Sequence, residues 1–382
     1  MHPSSLLSYY PTYGLLDEVV SYGDYNELNL FVDLKNCFQT LYQEHAIINI
    51  IENSMRTKYV ESSILVSLLS FLSFHKIYSV KRNVKINVYV FFESGRSYYH
   101  QNISKEYKIS RRIDDLYGLP IEKRELFQNT VRLNWEAIEK VCNRLPNVRV
   151  IRLLNMEADF IPYYTISRNL LTQKPRTANL VYSNDHDLLQ TLTAGTNTYV
   201  FQKIKKTKRI VRAGEVMKRE LKVDSNLDDR IQPLAMAIIG DPGDDVHGIK
   251  GIGAATFKKF HKDLMKLVGS MDELLDNVTH NRPIFDLTKV SIPNKHLSKV
   301  IRAEQEESKI SKNLRLVSFE LISRFFESPG TTEMLERRNK VHSLLTELHR
   351  PAPLDKIKRA LEMNRVFFGE ELDNLYYGYT PP

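Results

Sequence analysis

Acidic residues stand at five places where an apolar run ends. Leu30-Phe31-Val32 runs into Asp33, and Val90-Phe91-Phe92 into Glu93. Val148–Leu154 leads through Asn155 and Met156 to Glu157 and Asp159, and Leu180-Val181-Tyr182 through Ser183 and Asn184 to Asp185 and Asp187. Ala237-Ile238-Ile239, which reads as helix, delivers Gly240, Asp241 and Asp244. One such acid alone is ordinarily a helix cap or a turn residue. Five in the same relation to an element's end form a pattern, because strand ends of a parallel sheet share one edge and their carboxylates converge there. Crowded carboxylates raise one another's pKa and cannot all ionise unaided. Hard divalent cations, Mg²⁺ or Mn²⁺, relieve that repulsion through oxygen ligands. Two such ions about 4 Å apart are the usual apparatus for cutting a phosphodiester, one activating water and the other steadying the leaving oxygen.

The elements that must position these acids are strands alternating with helices. Leu28–Val32, Ile86–Phe92, Val148–Leu154, Asn179–Tyr182 and Thr198–Gln202 are short apolar, β-branched runs of the kind buried on both faces of a sheet. Helical stretches lie between them, at Cys37–Asn53, Val60–His75, Trp135–Arg144 and Phe160–Leu170. The alternation predicts an α/β fold with a mainly parallel central sheet and helices on both faces, whose ligands bind beyond the carboxyl ends of the strands.

Charge and composition agree with that class. The 382 residues are 42% hydrophobic and 26% charged, as in a core-forming globular chain, and 54 Lys and Arg against 46 Asp and Glu leave +8. The apolar stretch Ile64 to Phe74 is too short for a membrane helix and is expected to be a buried one. Two distant cysteines, Cys37 and Cys142, and an N-terminus unlike a signal peptide lead to the expectation of an intracellular, cytoplasmic protein with no membrane contact. The excess of positive charge gathers in two places. One is Lys203 to Glu220, with Lys205, Lys206, Lys208 and Arg209; the other is Arg96 to Arg124, where Lys105, Lys108, Arg111 and Arg112 interleave with Tyr98, Tyr99, Tyr107 and Tyr117. Either is a solvated face or a contact surface for a polyanion. The tyrosines either stack unpaired bases or pack the segment itself.

A further motif follows the last acids. In Gly248-Ile-Lys250-Gly251-Ile-Gly253-Ala-Ala-Thr256 the glycines allow a tight turn, and a helix starts just after, flanked by Lys250, Lys258 and Lys259. The spacing of a nucleotide-binding phosphate loop is absent. The motif reads as a helix-hairpin-helix gripping a nucleic-acid backbone, or as a plain helix connection without ligand.

Taken together, Glu157-Ala-Asp159, Ser183-Asn-Asp185-His-Asp187, Gly240-Asp241-Pro-Gly-Asp244 and Gly248-Ile-Lys-Gly-Ile-Gly253 resemble the 5′-nuclease superfamily of flap endonucleases and 5′→3′ exonucleases. Glu93-Ser-Gly95-Arg-Ser97, Glu106-Tyr107-Lys108 with Arg111, and Asn313-Leu-Arg-Leu-Val317 are closest to its bacteriophage branch; the likeness runs from about Glu27 to Phe319. The resemblance implies a PIN-like core and makes Asp33, Glu93, Glu157, Asp159, Asp185, Asp187 and Asp241 the metal carboxylates, with Asp244 an eighth. It implies two Mg²⁺ or Mn²⁺, and a monovalent cation such as K⁺ at the hairpin of Gly251 and Gly253. Lys108 and Arg111 match basic residues of a helical arch over about 96–130 that neutralise the scissile phosphate. Two positions depart from the pattern: Phe160 stands where a second Asp is common, and Glu93 where Asp is usual.

The expected organisation is an N-terminal extension (1–26), a nuclease core (27–240), a helix-hairpin-helix region (241–320) and a C-terminal helical extension (321–382). The expected activity is metal-dependent hydrolysis of DNA at 5′ ends, flaps or junctions, extending to RNA primers and RNA/DNA hybrids, in company with replication proteins and, for a phage protein, in an infected bacterial cell. Arg96, Arg112, Lys205, Lys206, Lys208, Arg209, Lys250, Gly251, Gly253, Lys258 and Lys259 are the expected DNA contacts. Two other readings stay open: a catalytically inactive DNA-binding protein on the same fold, and an RNA-directed PIN-like ribonuclease. A haloacid-dehalogenase-type phosphatase is excluded, since Asp33-Leu34-Lys35 lacks its Asp-x-Asp.

Overall fold

The computed structural model describes residues 12–37, 57–109, 135–171, 175–204, 207–217, 228–289, 294–347, 350–363 and 370–377. The strands are β1 (Glu27–Asp33), β2 (Lys85–Ser94), β3 (Val148–Leu154), β4 (Thr177–Tyr182), β5 (Thr198–Ile204) and β6 (Thr207–Arg212). They form a six-stranded sheet in the order β3-β2-β1-β4-β5-β6. Every neighbouring pair is parallel except β5 with β6, a hairpin at the sheet's edge. The five expected strands are all present. β6 is a sixth, which its basic sequence disguises.

The chain leaves β1 toward β2 and β3, then returns to place β4 on the other side of β1. The carboxyl ends of β1 and β4 therefore flank the switch point, where an open sheet leaves a crevice for ligand. Register puts the acids there: Asp33 lies opposite Phe91, Val32 opposite both Val90 and Tyr182, and Glu93 opposite Leu153.

Alternation along each strand feeds two cores. Leu28, Leu30 and Val32 of β1, with Val88 and Val90 of β2 and Leu180 of β4, bury on one face; Phe31, Phe91, Val181 and Val200 bury on the other. The first face is covered by α1 (Tyr13–Tyr22) through Leu16 and Val19, and by α2 (Thr57–Arg82) through Leu68, Leu69 and Leu72. Between β2 and β3 comes α3 (Tyr98–Ile103), and between β3 and β4 comes α4 (Ile161–Ser167), which packs Ile161 and Tyr164 against the second face.

A third core is mainly helical. It joins α5 (Gln232–Ile239), α6 (Ala254–Val268), α7 (Met271–Thr279), α8 (Lys295–Glu307) and α9 (Lys309–Val317) through Leu234, Phe257, Phe260, Leu274, Leu297 and Leu314. The remaining helices are α10 (Phe319–Glu327), α11 (Thr332–Thr346), α12 (Leu354–Met363) and α13 (Glu370–Tyr377). Val341 and Leu345 of α11 bury on the second face of the sheet, whereas Ile357 and Leu361 of α12 and Leu372 of α13 bury on the first. The chain thus wraps around edge strand β3, held by Arg149 Nε to Leu344 O at 3.0 Å and Ala352 N to Arg144 O at 3.0 Å. An edge so covered cannot template pairing with another chain.

Candidate metal centre and its basic flanks

The carboxylates reach the site by three local devices. Asp33 ends β1 and is buried; Asn36 N–H donates to its Oδ1 at 3.0 Å and Ser183 Oγ–H to its Oδ2 at 2.9 Å. The segment after β4 is folded on itself: Asp185 N–H donates to Ser183 Oγ at 3.0 Å, and Asp187 N–H to Asp185 Oδ1 at 3.0 Å, where a 3₁₀ turn (Asp187–Thr193) begins. Asp241 and Asp244 sit on a tight link from α5 into a two-stranded ribbon in which Gly240 pairs with His247. Gly240 has φ +92, and a Cβ there would come within 2.5 Å of Gly248 N, so a side chain at this crossing would push the ribbon apart.

Asp187, Asp241 and Asp244 each offer an oxygen within 4.8 Å of the others. Electrostatics joins the other five to them. Burial raises the Asp159 carboxyl well above its ordinary range, and Glu93, Asp33, Asp185 and Glu157 push it further. Burial likewise raises Asp187, helped by Asp185, Asp244 and Asp241, and raises Asp241, helped by Asp244. Asp33 is pushed up to about 7 by burial, with Glu93 and Asp185 adding. Each of the eight predicted acids is thus electrostatically coupled to at least one other of the set, and three of them, Asp187, Asp241 and Asp244, meet within 4.8 Å. Neutral carboxyls are a poor reason to gather so many acids, while hard divalent cations suit an all-oxygen donor set of this charge.

Two lysines hold the ends of the cluster. Lys108 Nζ lies 2.6 Å from Glu157 Oε1 and 3.1 Å from Asp244 Oδ2. Burial opposes charge on Glu157, yet Lys108 and His100 hold its pKa down at about 2. Lys108 takes the left-handed backbone conformation, φ +51, in which its N–H donates to Asp244 O at 3.0 Å. Such strain in a non-glycine residue persists only where its surroundings impose it. At the other end Lys35 Nζ lies 2.7 Å from Glu93 Oε1. Lys35 was not among the predicted site residues; one lysine two positions after a strand-end acid carries no signal in a chain with 54 Lys and Arg.

Tyr107, Tyr99 and His100 are built into the support of the site. Tyr107 is buried, with its hydroxyl 3.0 Å from Glu157 Oε2 and 2.9 Å from Asp244 Oδ2. The buried His100 ring stacks on it, centroids 4.4 Å apart. Tyr99 packs on Phe325. These two tyrosines take the packing alternative, and Tyr98 alone of the three is exposed. The Asn313–Val317 segment is the anchor. Asn313 Nδ2 donates to Ala237 O at 2.8 Å and His247 O at 3.1 Å. The carbonyls left over at the end of α9 accept from Tyr99 Oη at Arg315 (2.8 Å), His100 Nε2 at Leu316 (3.1 Å) and Gln190 Nε2 at Val317 (2.9 Å). Helix-end carbonyls need such partners, and here the site's own elements supply them.

Of the predicted phosphate contacts, Lys208 and Arg209 lie on the β5–β6 hairpin, Lys208 opposite Lys203. Lys203 N–H donates to Asn184 Oδ1 at 2.6 Å, which fixes the hairpin beside the Asp185 segment. Arg209 reaches Gln202 Oε1 at 2.7 Å, and Arg96 is exposed. Arg111, Arg112, Lys205, Lys206 and the arch beyond 109 lie outside the described residues, as do 38–53 of the first expected helix.

Gly253 caps α6 with no side-chain bond to the helix start, and nothing would meet a Cβ there within 4 Å. Gly251 has φ +82, which a side chain would strain. Lys250, Lys258 and Lys259 are exposed around this turn. Lys295 and Lys299 of α8 join Lys259 around His296, whose pKa is lowered by burial and by these three lysines. The two α8 lysines escaped the sequence reading because α8 is distant from the glycine motif along the chain. Phe160, at the position of the missing acid, is a core residue packed on Phe326.

The fold is shared with solved bacteriophage T5 structures. The chain is similar to the bacteriophage T5 protein co-crystallised with metal ions (16% identity, 83% of this chain and 99% of that one, TM-score 0.56). It is also similar to T5 5′-exonuclease with zinc bound (17%, 84% and 100%, TM-score 0.53) and to a T5 flap endonuclease complex with DNA and metal ions (17%, 84% and 100%, TM-score 0.55). No protein-family model and no curated protein matches the sequence. No helix among the described residues is long and apolar enough to cross a membrane.

Proposed function

We propose that this protein is a structure-specific 5′ nuclease that hydrolyses DNA at 5′ ends and flaps beside duplex. What supports the reading is the meeting of Asp187, Asp241 and Asp244 within 4.8 Å, their electrostatic coupling to the other strand-end acids, and Lys108 paired with Glu157 and Asp244 beside them. Asp33, Glu93, Glu157, Asp159, Asp185, Asp187, Asp241 and Asp244 would hold two Mg²⁺ or Mn²⁺, which supply an activated water and charge stabilisation at the phosphate.

The chain's own residues do the rest. Ser183, Asn36 and Tyr107 orient carboxylates, so little reorganisation is needed when substrate arrives. Lys108 neutralises the rim that a phosphate must approach, and Arg111 from the arch adds a second cation. A fixed donor of this kind is worth about 3–4 kcal/mol in the transition state. The Gly251–Gly253 turn with Lys250, Lys258 and Lys259 grips the duplex backbone as a helix-hairpin-helix, and the turn would hold a monovalent cation such as K⁺ to neutralise phosphate there. Lys205, Lys206, Lys208, Arg209, Arg96 and Arg112 are the further phosphate contacts of this reading. Contacts of this type read shape and register, not sequence. Replication proteins are the natural company of such an activity.

A 5′-labelled flap duplex, a blunt duplex and a single strand, each incubated with Mg²⁺, Mn²⁺ or chelator, test the reading. Cleavage beside the flap junction with metal alone is the expected result. Tight binding without cleavage in any metal would replace it with the inactive DNA-binding reading.

A further inference from the structure

The carboxylate cluster has a cation at each end, and the two are unlike. Lys108 rides on the base of the arch segment, is largely buried, and spans Glu157 and Asp244. Lys35 belongs to the helical segment that follows β1, two residues from Asp33, and its side chain is 44% exposed against 24% for Glu93. An isolated pair so open to water is worth little. This one is not isolated: Asp159 and Asp33 also attract the Lys35 ammonium. Its ammonium therefore sits on Glu93 and within the field of Asp159 and Asp33, carboxylates that also repel one another. On the other side no ion pair holds Asp187 or Asp241 among the described residues, and Lys108, paired with Glu157 and Asp244, draws on both only from further off.

We propose that Lys35 is a resident counter-cation of the cluster that competes with a divalent ion for Glu93, so that the two sides of the centre load unequally. The inference rests on reading the cluster as a metal centre. An ion arriving beside Asp187, Asp241 and Asp244 meets Lys108 3.1 Å from Asp244 Oδ2 and only the more distant attraction of the same lysine on Asp187 and Asp241, which carry no ion pair among the described residues. An ion arriving beside Glu93 must first take that carboxylate from an ammonium 2.7 Å away. Lys35 thereby protects the empty cluster from its own repulsion and sets a higher ion concentration for complete loading. It acts through Glu93, as a positioning residue.

Titration calorimetry with Ca²⁺, without DNA, tests this on the full chain. The wild type should bind in a tighter and a weaker step. Lys35→Met should tighten the weaker step by about tenfold and leave the tighter one unchanged, since a charge beside the ligand is removed. Lys35→Arg should bind as the wild type does. Metal-free Lys35→Met should also melt lower than wild type and recover more on adding Ca²⁺. Unchanged ion affinity in Lys35→Met overturns the proposal, as does Lys35→Arg behaving like Lys35→Met. Unchanged ion affinity with weakened DNA binding also overturns it and assigns Lys35 to the substrate. A wild-type protein that binds no divalent ion and cuts no flap overturns the metal-centre reading itself; one that cuts normally while Lys35→Met leaves both steps unchanged overturns this inference alone.

Discussion

The crevice at the carboxyl edge of the sheet and the lysine-flanked turn before α6 both handle charge, in opposite ways. In the crevice, acids are buried among acids, so each carboxylate's protonation depends on its neighbours; Asp159 is raised well above its usual range by burial and by Glu93, Asp33 and Asp185, and Asp187 by burial and by Asp185, Asp244 and Asp241. Around Gly251 and Gly253 the lysines are exposed to water, which weakens what they feel of one another. The first arrangement stores repulsion that a cation can relieve. The second offers a diffuse attraction that salt can screen. A region that must do chemistry couples its charges, and a region that must only hold a polyanion leaves them in water.

The sharpest test of that contrast removes a coupled carboxylate. Asp185→Asn or Asp187→Asn should lower cleavage by about 10³-fold or more while duplex binding in Ca²⁺ survives, checked by single-turnover rates beside a binding titration. Wild-type rates in either variant would detach those residues from the chemistry. Lys108→Ala comes next, with a loss of about 10²–10³-fold in rate and little change in duplex affinity.

On the basic side the effects should be smaller and should fall on binding. Gly253→Leu, which fills the open space before α6, should weaken duplex binding by about tenfold with single-turnover chemistry at saturation retained. Lys258→Ala and Lys259→Ala should each weaken binding slightly and reduce the salt slope of binding by about 1. If single lysines here changed the rate of chemistry instead, the division between the regions would fail.

A pH experiment separates the regions without mutation. The metal-free Asp33 carboxyl, at about 7 in the folded chain, holds a proton that the unfolded chain releases near its ordinary 3.8. Its stabilising contribution is present below about pH 4 and is lost as pH rises through about 7. Divalent ions need ionised ligands and offset that loss. The rise in melting temperature on adding Mg²⁺ should therefore grow between about pH 5 and about pH 8. An increment independent of pH would mean that the crowded acids are not what the ion meets.

Much of this was legible along the chain, where each element's signal is local. The five apolar runs are strands because β-branched residues and continuous hydrophobicity suit a doubly covered sheet. The acids stand at their ends because that edge alone is open. The β5–β6 hairpin was harder: Thr207–Arg212 is so rich in charge that strand and loop read alike, and only its pairing with β5 decides. Tyr99 and Tyr107 were ambiguous for a related reason. An aromatic among basic residues looks like a base-stacking platform until the helix behind it is seen to need its hydroxyl, as Arg315 O needs that of Tyr99.

From residue types and spacing alone came the α/β class, the eight acids, the basic segments and the glycine turn, because periodicity, turn chemistry and local charge are written over a few neighbouring residues. The tertiary structure decided which charges meet. It put Lys35 on Glu93 and Lys108 on Glu157, and it set Lys295 and Lys299 beside Lys259. It also made the end of α9 the ledge on which His100, Tyr99 and Gln190 rest. Those partners are dozens to hundreds of residues apart, and side-chain contact energies act over a few ångströms of space, with no regard for distance along the chain.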